Sequence, residues 1–576
     1  MLKTEGISAS PGLALGKALI FRHDVAPALH DKCRGEEDKK KQYGLFEEAR
    51  SVVASDFDRL IAASVTKEEN DILFTHRLMV EDPEFASSVK NEIEKENKCA
   101  AWAVESVMDS QVALLSSIDN VLFKERIADI KNVSETILRV ILKEETVHIP
   151  VLTEPSVIVA DYLTPAEIVG MDKKYILGFA LISGGKTSHV AVLAHSLNIP
   201  CLVGITDIFA LVKSGDTVAL DAGKGRLAVN PEGRELEEIR TSMEKARKEK
   251  EELASDAFLP AITSDGHEIK LRLNISGADN LDTVFASGAE GVGLFRTEFL
   301  MMDEHTRSEE EAFEVYKKVA SASKPYGPVT IRTLDVGGDK VVDSLSVKEE
   351  NPILGWRAVR FCLANRELFA SQLRSILRAS VYGKVKLMFP MISGLEELEA
   401  CLDLLDEVKT ELRTKGIAFD ENIPVGIMIE VPGAALCSDL LAKKVDFFSV
   451  GTNDLVQYTL AVDRGNEKIA YLYNPLHPGV LRLLKLVVDN AHKNKIKCSM
   501  CGEMASVALY VPLLAGLGFD ELSMNSQSIA EVRRSIRSLS LAEAEVLAEK
   551  VLTLESGSET EKYIKEWTDG KTGNNQ

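Results

Sequence analysis

The chain has 576 residues, 45% of them hydrophobic and 27% charged, with a formal net charge of −21 at pH 7. At roughly 100–200 residues per domain, that length suggests three or four domains. The acidic balance argues against nucleic acid and anionic membranes as main partners, because both need clustered positive charge. A small anionic substrate held by a few local arginines stays open.

The start, MLKTEGISASPGLALGKALIF, lacks a signal peptide's layout: Lys17 interrupts its apolar run and Pro11 precedes it. No stretch reaches the roughly 18–20 apolar residues of a membrane span. The eight cysteines are scattered, which in a chain this long reads as reduced thiols and a cytoplasmic setting. The first 22 residues read as short strands around the turn at Ser10-Pro11-Gly12. From about 25 to 146 the texture becomes charged, poor in glycine and helical in period. LFEEARSVVASDFDRLIAA and AAWAVESVMDSQVALLSSI place apolar residues three and four apart, and DILFTHRLMVEDPEF begins helically and stops at Asp82-Pro83. Strands return after 148 in SVIVADYLT, YILGFALIS and IPCLVGI, and TVALDAGKGRLAVN carries a hairpin signal across Asp221–Gly225. The N-terminal strands belong with this α/β unit, so the helical segment is an insertion within it.

Within that unit lies SGGKTSHVAVLAHSLNIP, residues 183–200. Two glycines precede Lys186, two hydroxyl residues and His189, and an apolar helical run follows. A helix start offers unpaired N–H groups and the positive end of the macrodipole, a good place for a phosphate. Taken alone, Thr187 or Ser188 is an ordinary N-cap and His189 a first-turn residue.

Residues 231–257 form a charged, helix-forming run with few large apolar residues, suited to a solvated linker helix. Beyond 260 come eight candidate strands, IKLRLNIS, EGVGLFR, VTIRTLD, KLMFPMI, PVGIMIE, FFSVGTND, KCSMCGE and ELSMN, most of them separated by helical segments. This pattern fits a TIM barrel with insertions. An open doubly wound sheet is the alternative, but the glycine-rich piece is GAEGVG rather than GxGxxG. The strands end in polar groups: Asn274, Arg296, Arg332 with Asp335, Glu430, Asn453 with Asp454, Cys501 with Glu503, and Asn525. Gly337-Gly338-Asp339-Lys340, Arg357 and Arg464 follow strands closely. Several arginines suit an anion with both phosphate and carboxylate, and Glu430 with Asp454 are oxygen ligands suited to Mg²⁺. Cys498 and Cys501 form an isolated CxxC, a weak redox or metal signal without a second pair.

At this point GGKTSH, GVGLFRTEFL, IRTLDVGGDK, NPILGWRAVR, FPMI, DFFSVGTNDLVQYTLAVDRGN and MCGE together resemble Enzyme I of the bacterial phosphoenolpyruvate:sugar phosphotransferase system. The resemblance runs essentially end to end, and THRLMVEDPEF and LFKERIADI extend it through the helical segment. Pyruvate phosphate dikinase and phosphoenolpyruvate synthase share the histidine domain and barrel but need an ATP-grasp domain, which nothing here resembles. The resemblance implies an α/β multidomain protein: a swivelling phosphohistidine domain over 1–22 and 147–230, a helical HPr-binding domain over 23–146, the linker helix, and a phosphoenolpyruvate-binding (β/α)8 barrel over 258–576. It implies that His189 takes a phosphoryl group from phosphoenolpyruvate and passes it to a histidine of the carrier HPr, the first step of sugar uptake. Arg296, Arg332, Arg357, Asn453, Asp454 and Arg464 would bind phosphoenolpyruvate. Glu430 and Asp454 would hold Mg²⁺, and Cys501 would protonate the enolate. A cytoplasmic homodimer formed through the barrels is implied as well.

Three positions depart from the family's usual pattern. Lys186 stands where an arginine is usual, His195 likewise, and Ala166-Glu167-Ile168 replaces Ser-Glu-Thr. They bear on the transfer to HPr more than on the chemistry with phosphoenolpyruvate. A second reading is a phosphorelay regulator that signals to a carrier without energising sugar import. The sugars served downstream are not legible here.

Overall fold

The N-terminal segment reverses at Pro11-Gly12. Gly12 has a φ of 144°, and a Cβ there would meet Pro200 at 2.7 Å, so glycine is required both for the turn and for the close approach. The turn separates β2 (Ile7–Ser10) from β3 (Leu13–Phe21), and β1 (Leu2–Glu5) precedes them. The computed structural model describes residues 2–22, 30–63, 67–116, 121–143, 152–185, 188–278, 281–300, 308–337, 351–464, 466 and 468–572. Lys186, Thr187 and Gly338-Asp339-Lys340 lie outside them, as do the junctions expected at 22/23 and 146/147. The chain divides into two compact units, Met1–Lys248 and Glu249–Gln576.

In the first unit β4 (Ser156–Ala160), β5 (Ile176–Leu181), β6 (Cys201–Val203), β7 (Thr217–Asp221) and β8 (Arg226–Val229) complete an eight-stranded sheet of order β1-β8-β7-β3-β4-β5-β6-β2. β7 and β8 form the expected antiparallel hairpin. β3 and β4 are parallel neighbours, from Lys17↔Ser156 to Phe21↔Ala160. Parallel strands cannot be joined by a tight turn. Here the crossover is a helical insertion: α1 (Glu36–Ala63), α2 (Lys67–Glu81), α3 (Pro83–Glu94), α4 (Ala100–Ser116) and α5 (Val121–Ile141). The break at Asp82-Pro83 is a helix start: the Asp82 side chain accepts from Glu84 N at 2.8 Å, and Pro83 opens α3, where no N–H is missed.

Every residue of β4 is buried, as a sheet covered on both faces requires. Alternate residues feed two cores. Ile158 and Ala160 join Phe179, Leu181, Val190 and Leu193, while Val157 and Val159 join Ala180, Ile208 and Val218. Short helices α6 (Pro165–Gly170), α7 (His189–Ser196) and α8 (Ile208–Leu211) supply the covering residues. A charged helix, α9 (Gly233–Ser255), runs across the boundary between the units.

The second unit is a closed barrel of parallel strands: β9 (Lys270–Ile275), β10 (Val292–Phe295), β11 (Val329–Arg332), β12 (Val385–Phe389), β13 (Val425–Ile429), β14 (Phe447–Val450), β15 (Lys497–Met500) and β16 (Glu521–Met524). Each is one of the eight stretches expected from the sequence, and β16 pairs with β9 to close the ring. Leu387 packs outward into the shell of helices, and Met388 packs inward with Leu294, Met428, Phe447 and Cys501. The same alternation separates Cys498, in the outer core, from Cys501, in the inner cluster. The CxxC spacing therefore does not make a thiol pair. Among the described residues no helix is long and apolar enough to cross a membrane.

Candidate active site

Two constellations of polar residues stand out, one in each unit. In the first, Gly184 has a φ of 120° and turns the chain into Ser188, whose backbone is extended and whose Oγ accepts from Ala191 N at 3.4 Å. Ser188 thereby caps α7 and places His189 at its first helical position. The His189 ring faces the helical insertion. Its Nδ1 lies 3.2 Å from Asp129 Oδ1 on α5, and His76 Nε2 on α2 donates to the same oxygen at 3.0 Å. The two imidazoles meet edge-on with centroids 6.2 Å apart. His76 and Asp129 are buried, and the His189 side chain is 32% exposed.

Burial pushes the Asp129 carboxyl up. The hydrogen bonds from His189 and His76, with their charge, outweigh it and hold the group down at about 2. Asp129 is thus an anion at any working pH. Against an ionised carboxylate His189 Nδ1 carries the proton, which gives Nε2 the lone pair. A cavity of about 420 Å³ lies at this place, lined by Asp129, Glu135, Tyr162, Gly184, Ser188 and His189 among others.

Two of the three departures from the family pattern fall on described residues. His195 is exposed in the last turn of α7. Ile168 on α6 is fully buried in the apolar cluster that holds Val190 and Leu193.

In the second unit the carboxyl ends of the strands carry the charges. Arg332 ends β11, buried, and donates to Glu298 Oε1 at 2.5 Å and pairs with Asp335 Oδ2 at 3.2 Å. Its Nε is buried with no hydrogen-bond partner among the described residues. Asp335 also takes both ends of the Arg357 fork, from Nη2 at 2.8 and 3.0 Å and from Nε at 3.1 Å. Arg357 reaches Tyr458 Oη at 3.3 Å and Asp454 Oδ2 at 3.5 Å as well. Burial alone would depress both guanidinium groups, but the surrounding carboxylates hold them charged and raised.

Glu430 follows β13, buried, and accepts from Met391 N at 2.6 Å. Burial, then Asp454 and Asp335, push its carboxyl up to about 8 against the opposing pull of Arg332 and Arg357. A buried carboxylate crowded by two others is one cation short, and the donors are all oxygen, so the set fits a hard divalent ion. Ala358, directly after Arg357, has φ 54° and ψ −128°, and Met391 has φ 56°. Strain of this kind persists where surrounding structure holds it, commonly at functional sites.

The remaining expected residues divide. Asn453 at the start of the 452–460 helix exchanges two hydrogen bonds with Glu503, at 2.7 and 2.9 Å. Cys501 is buried at the end of β15, and burial raises its thiol while Arg332 and Arg296 pull it down. Arg296 and Arg464 are exposed, Arg296 just after β10 and Arg464 in the turn beyond the 452–460 helix. Asn274 and Ser523 bond to each other at 2.6 Å, and Asn274 braces Cys501 O at 2.9 Å. Sequence reasoning missed His76, Asp129, Glu298 and Tyr458.

Three family models match the chain in succession: the N-terminal region of PEP-utilising enzymes over residues 5–126, their mobile domain over 152–225 and their PEP-binding domain over 250–541. A Haemophilus influenzae protein named phosphoenolpyruvate-protein phosphotransferase is 40% identical over 568 residues, 98% of each chain. Proteins of the same name from Staphylococcus carnosus and Listeria innocua are 39% and 38% identical, each covering 98% of this chain and 99% of its own length.

Proposed function

The chain belongs to the PEP-utilising enzyme family, and from that premise we propose that it is a phosphoenolpyruvate-protein phosphotransferase whose His189 carries the phosphoryl group. The observation that carries the reading is the buried Arg332 Nε, without a partner among the described residues, on a barrel rim where a second buried guanidinium, Arg357, stands beside a cation-poor carboxylate set. Buried donors are nearly always satisfied, and a phosphate or carboxylate oxygen of phosphoenolpyruvate satisfies this one.

In this reading Arg332 and Arg357 bind the anionic groups of phosphoenolpyruvate, with Arg296, Arg464, Asn453 and Asp454 completing the rim. Glu430 and Asp454 hold Mg²⁺, which when bound neutralises phosphate charge and polarises the enol oxygen. His189 Nε2 attacks phosphorus in line, and the bond from phosphorus to the enol oxygen breaks. Asp129 stabilises the positive charge that develops on the imidazole and keeps its Nδ1–H oriented. The Cys501 thiol, kept protonated by burial, gives its proton to C3 of the enolate, and pyruvate leaves.

The phosphoryl group then passes to a histidine of HPr docked on the helical insertion. His189 thus serves two sites in turn. The proposed parts are the histidine domain (1–22 and 147–230), the helical domain (23–146), the barrel (258–576) and the linker helix (231–257) that lets them exchange. We place the enzyme in the cytoplasm as a homodimer through its barrels.

Incubation with labelled phosphoenolpyruvate and Mg²⁺, with and without HPr, tests the reading. Acid-labile label should appear on His189 and move to HPr, and His189→Ala should fold normally but take up none. Histidine-bound label in that variant refutes the assignment.

A further inference from the structure

His76, Asp129 and His189 do more than orient one imidazole. Their ligand atoms all lie within 4.8 Å of one another, with His76 Nε2 and His189 Nδ1 at 3.0 and 3.2 Å from one carboxylate oxygen. In a tetrahedral zinc site with bonds of about 2.0–2.1 Å, neighbouring ligand atoms are about 3.4 Å apart. Two of the three edges are already near that value, and small side-chain rotations close the third. Three helices hold the groups, α2, α5 and α7. The His76 ring is buried and held edge-on against Phe57 at 5.9 Å. The cavity at His189 gives an ion a way in, and its wall carries Asp129 and Glu135 against Lys131.

We propose that these residues form a His₂Asp site for a borderline divalent metal, Zn²⁺ by its donor set, and that the bound ion stops His189 from accepting a phosphoryl group. Two imidazole nitrogens and one carboxylate suit Zn²⁺ and discriminate against Mg²⁺, which prefers all-oxygen surroundings. The site is separate from the oxygen cluster of Glu430 and Asp454. Coordination displaces the Nδ1 proton of His189. The neutral ring then carries its proton on Nε2, so the lone pair that attacks phosphorus is gone while metal stays bound. The proton on His76 Nε2 likewise shifts to its Nδ1, and Asp129, already an anion, gives up none. The inhibitory half rests on the reading of His189 as the phosphoryl acceptor. The binding half does not.

Calorimetric titration of Zn²⁺ into the full-length protein in millimolar Mg²⁺ separates the two. One ion should bind, with Cys437→Ser as a control for the exposed thiol. His76→Gln and His189→Gln should each weaken binding at least about 10- to 100-fold, the range seen when even outer groups of a metal site are lost. Unchanged affinity in both variants, with circular dichroism showing them folded, overturns the site. Zn²⁺ should slow labelling of His189 from phosphoenolpyruvate without raising the KM for phosphoenolpyruvate, and His76→Gln should remove most of that sensitivity. If His76→Gln stays as sensitive as the wild-type chain, the inhibition acts elsewhere and the inhibitory half falls. A protein that binds Zn²⁺ but takes no label even without it would refute the phosphotransfer reading and leave the metal site standing.

Discussion

Replacing Asp129 by asparagine keeps the shape of the side chain and removes the charge that His76 and His189 share at 3.0 and 3.2 Å. A hydrogen bond to a charged group contributes about 1.5–3 kcal/mol. If the His189 contact is lost from the attacking geometry, phosphorylation from phosphoenolpyruvate should slow about 10- to 150-fold. Phosphoenolpyruvate is held by the barrel, so kcat should fall and KM should stay. Rapid-quench labelling with varied phosphoenolpyruvate separates the two, and its amplitude reports the active fraction, so a variant that only misfolds would lose amplitude at an unchanged rate constant. The same carboxylate also ties α5 to α2 and α7. Its pKa is held down at about 2, against an ordinary 3.8. That difference corresponds to about 2 kcal/mol of stability at neutral pH. The sign follows from the depressed folded value: the stabilisation is complete above about pH 4 and is lost as pH falls through about 2. Wild type and Asp129→Asn should therefore differ in thermal stability at pH 7 and converge in acid. Equal kcat in the two proteins would refute the orienting role, whatever the stability data show.

Glu430 gives the opposite pH signature. Its folded value is raised to about 8, so without divalent ion the first-melting stability of the barrel should fall between about pH 5 and 8. Added Mg²⁺ should flatten the profile and Glu430→Gln abolish the slope; a flat wild-type profile in chelator would count against it. Cys501→Ala should lose pyruvate formation yet still pass a preloaded phosphoryl group to HPr, while Cys498→Ala, on the outer face of β15, should keep both activities; identical behaviour of the two variants would overturn the acid assignment. The double change Ile168→Thr with His195→Arg should speed transfer to HPr roughly ten- to a hundredfold without altering labelling from phosphoenolpyruvate. A hydroxyl placed in the cluster of Val190 and Leu193 costs about 1–3 kcal/mol unless it finds a partner, and an unchanged transfer rate in the folded variant would show that the departures are neutral.

The parts of the molecule legible in the sequence share a physical cause. Barrel strands are buried on both faces, so they read as short apolar runs, and the charges that end or follow them, at Arg332, Glu430 and, in the helix after β14, Asp454, have no packing reason to be there. His189 was legible for a similar reason, because a glycine turn and a capping serine fix a helix start. Partners contributed from elsewhere in the chain were not legible. Glu298 and Tyr458 matter only because the barrel folds them against Arg332 and Arg357. His76 and Asp129 lie on helices where acidic and basic residues are common, and a charge there reads as solvated surface. Yet both fall on the buried stripe of their helix and interrupt its apolar run. On α2 the buried stripe runs through Leu73, His76 and Val80, and on α5 through Asp129, Val133 and Ile137, at spacings of three and four that mark one face. A titratable residue on the apolar stripe must find a buried partner of its own. His76 and Asp129, on two helices of one insertion, meet that need through each other and through a third group brought by α7. His189 is that group.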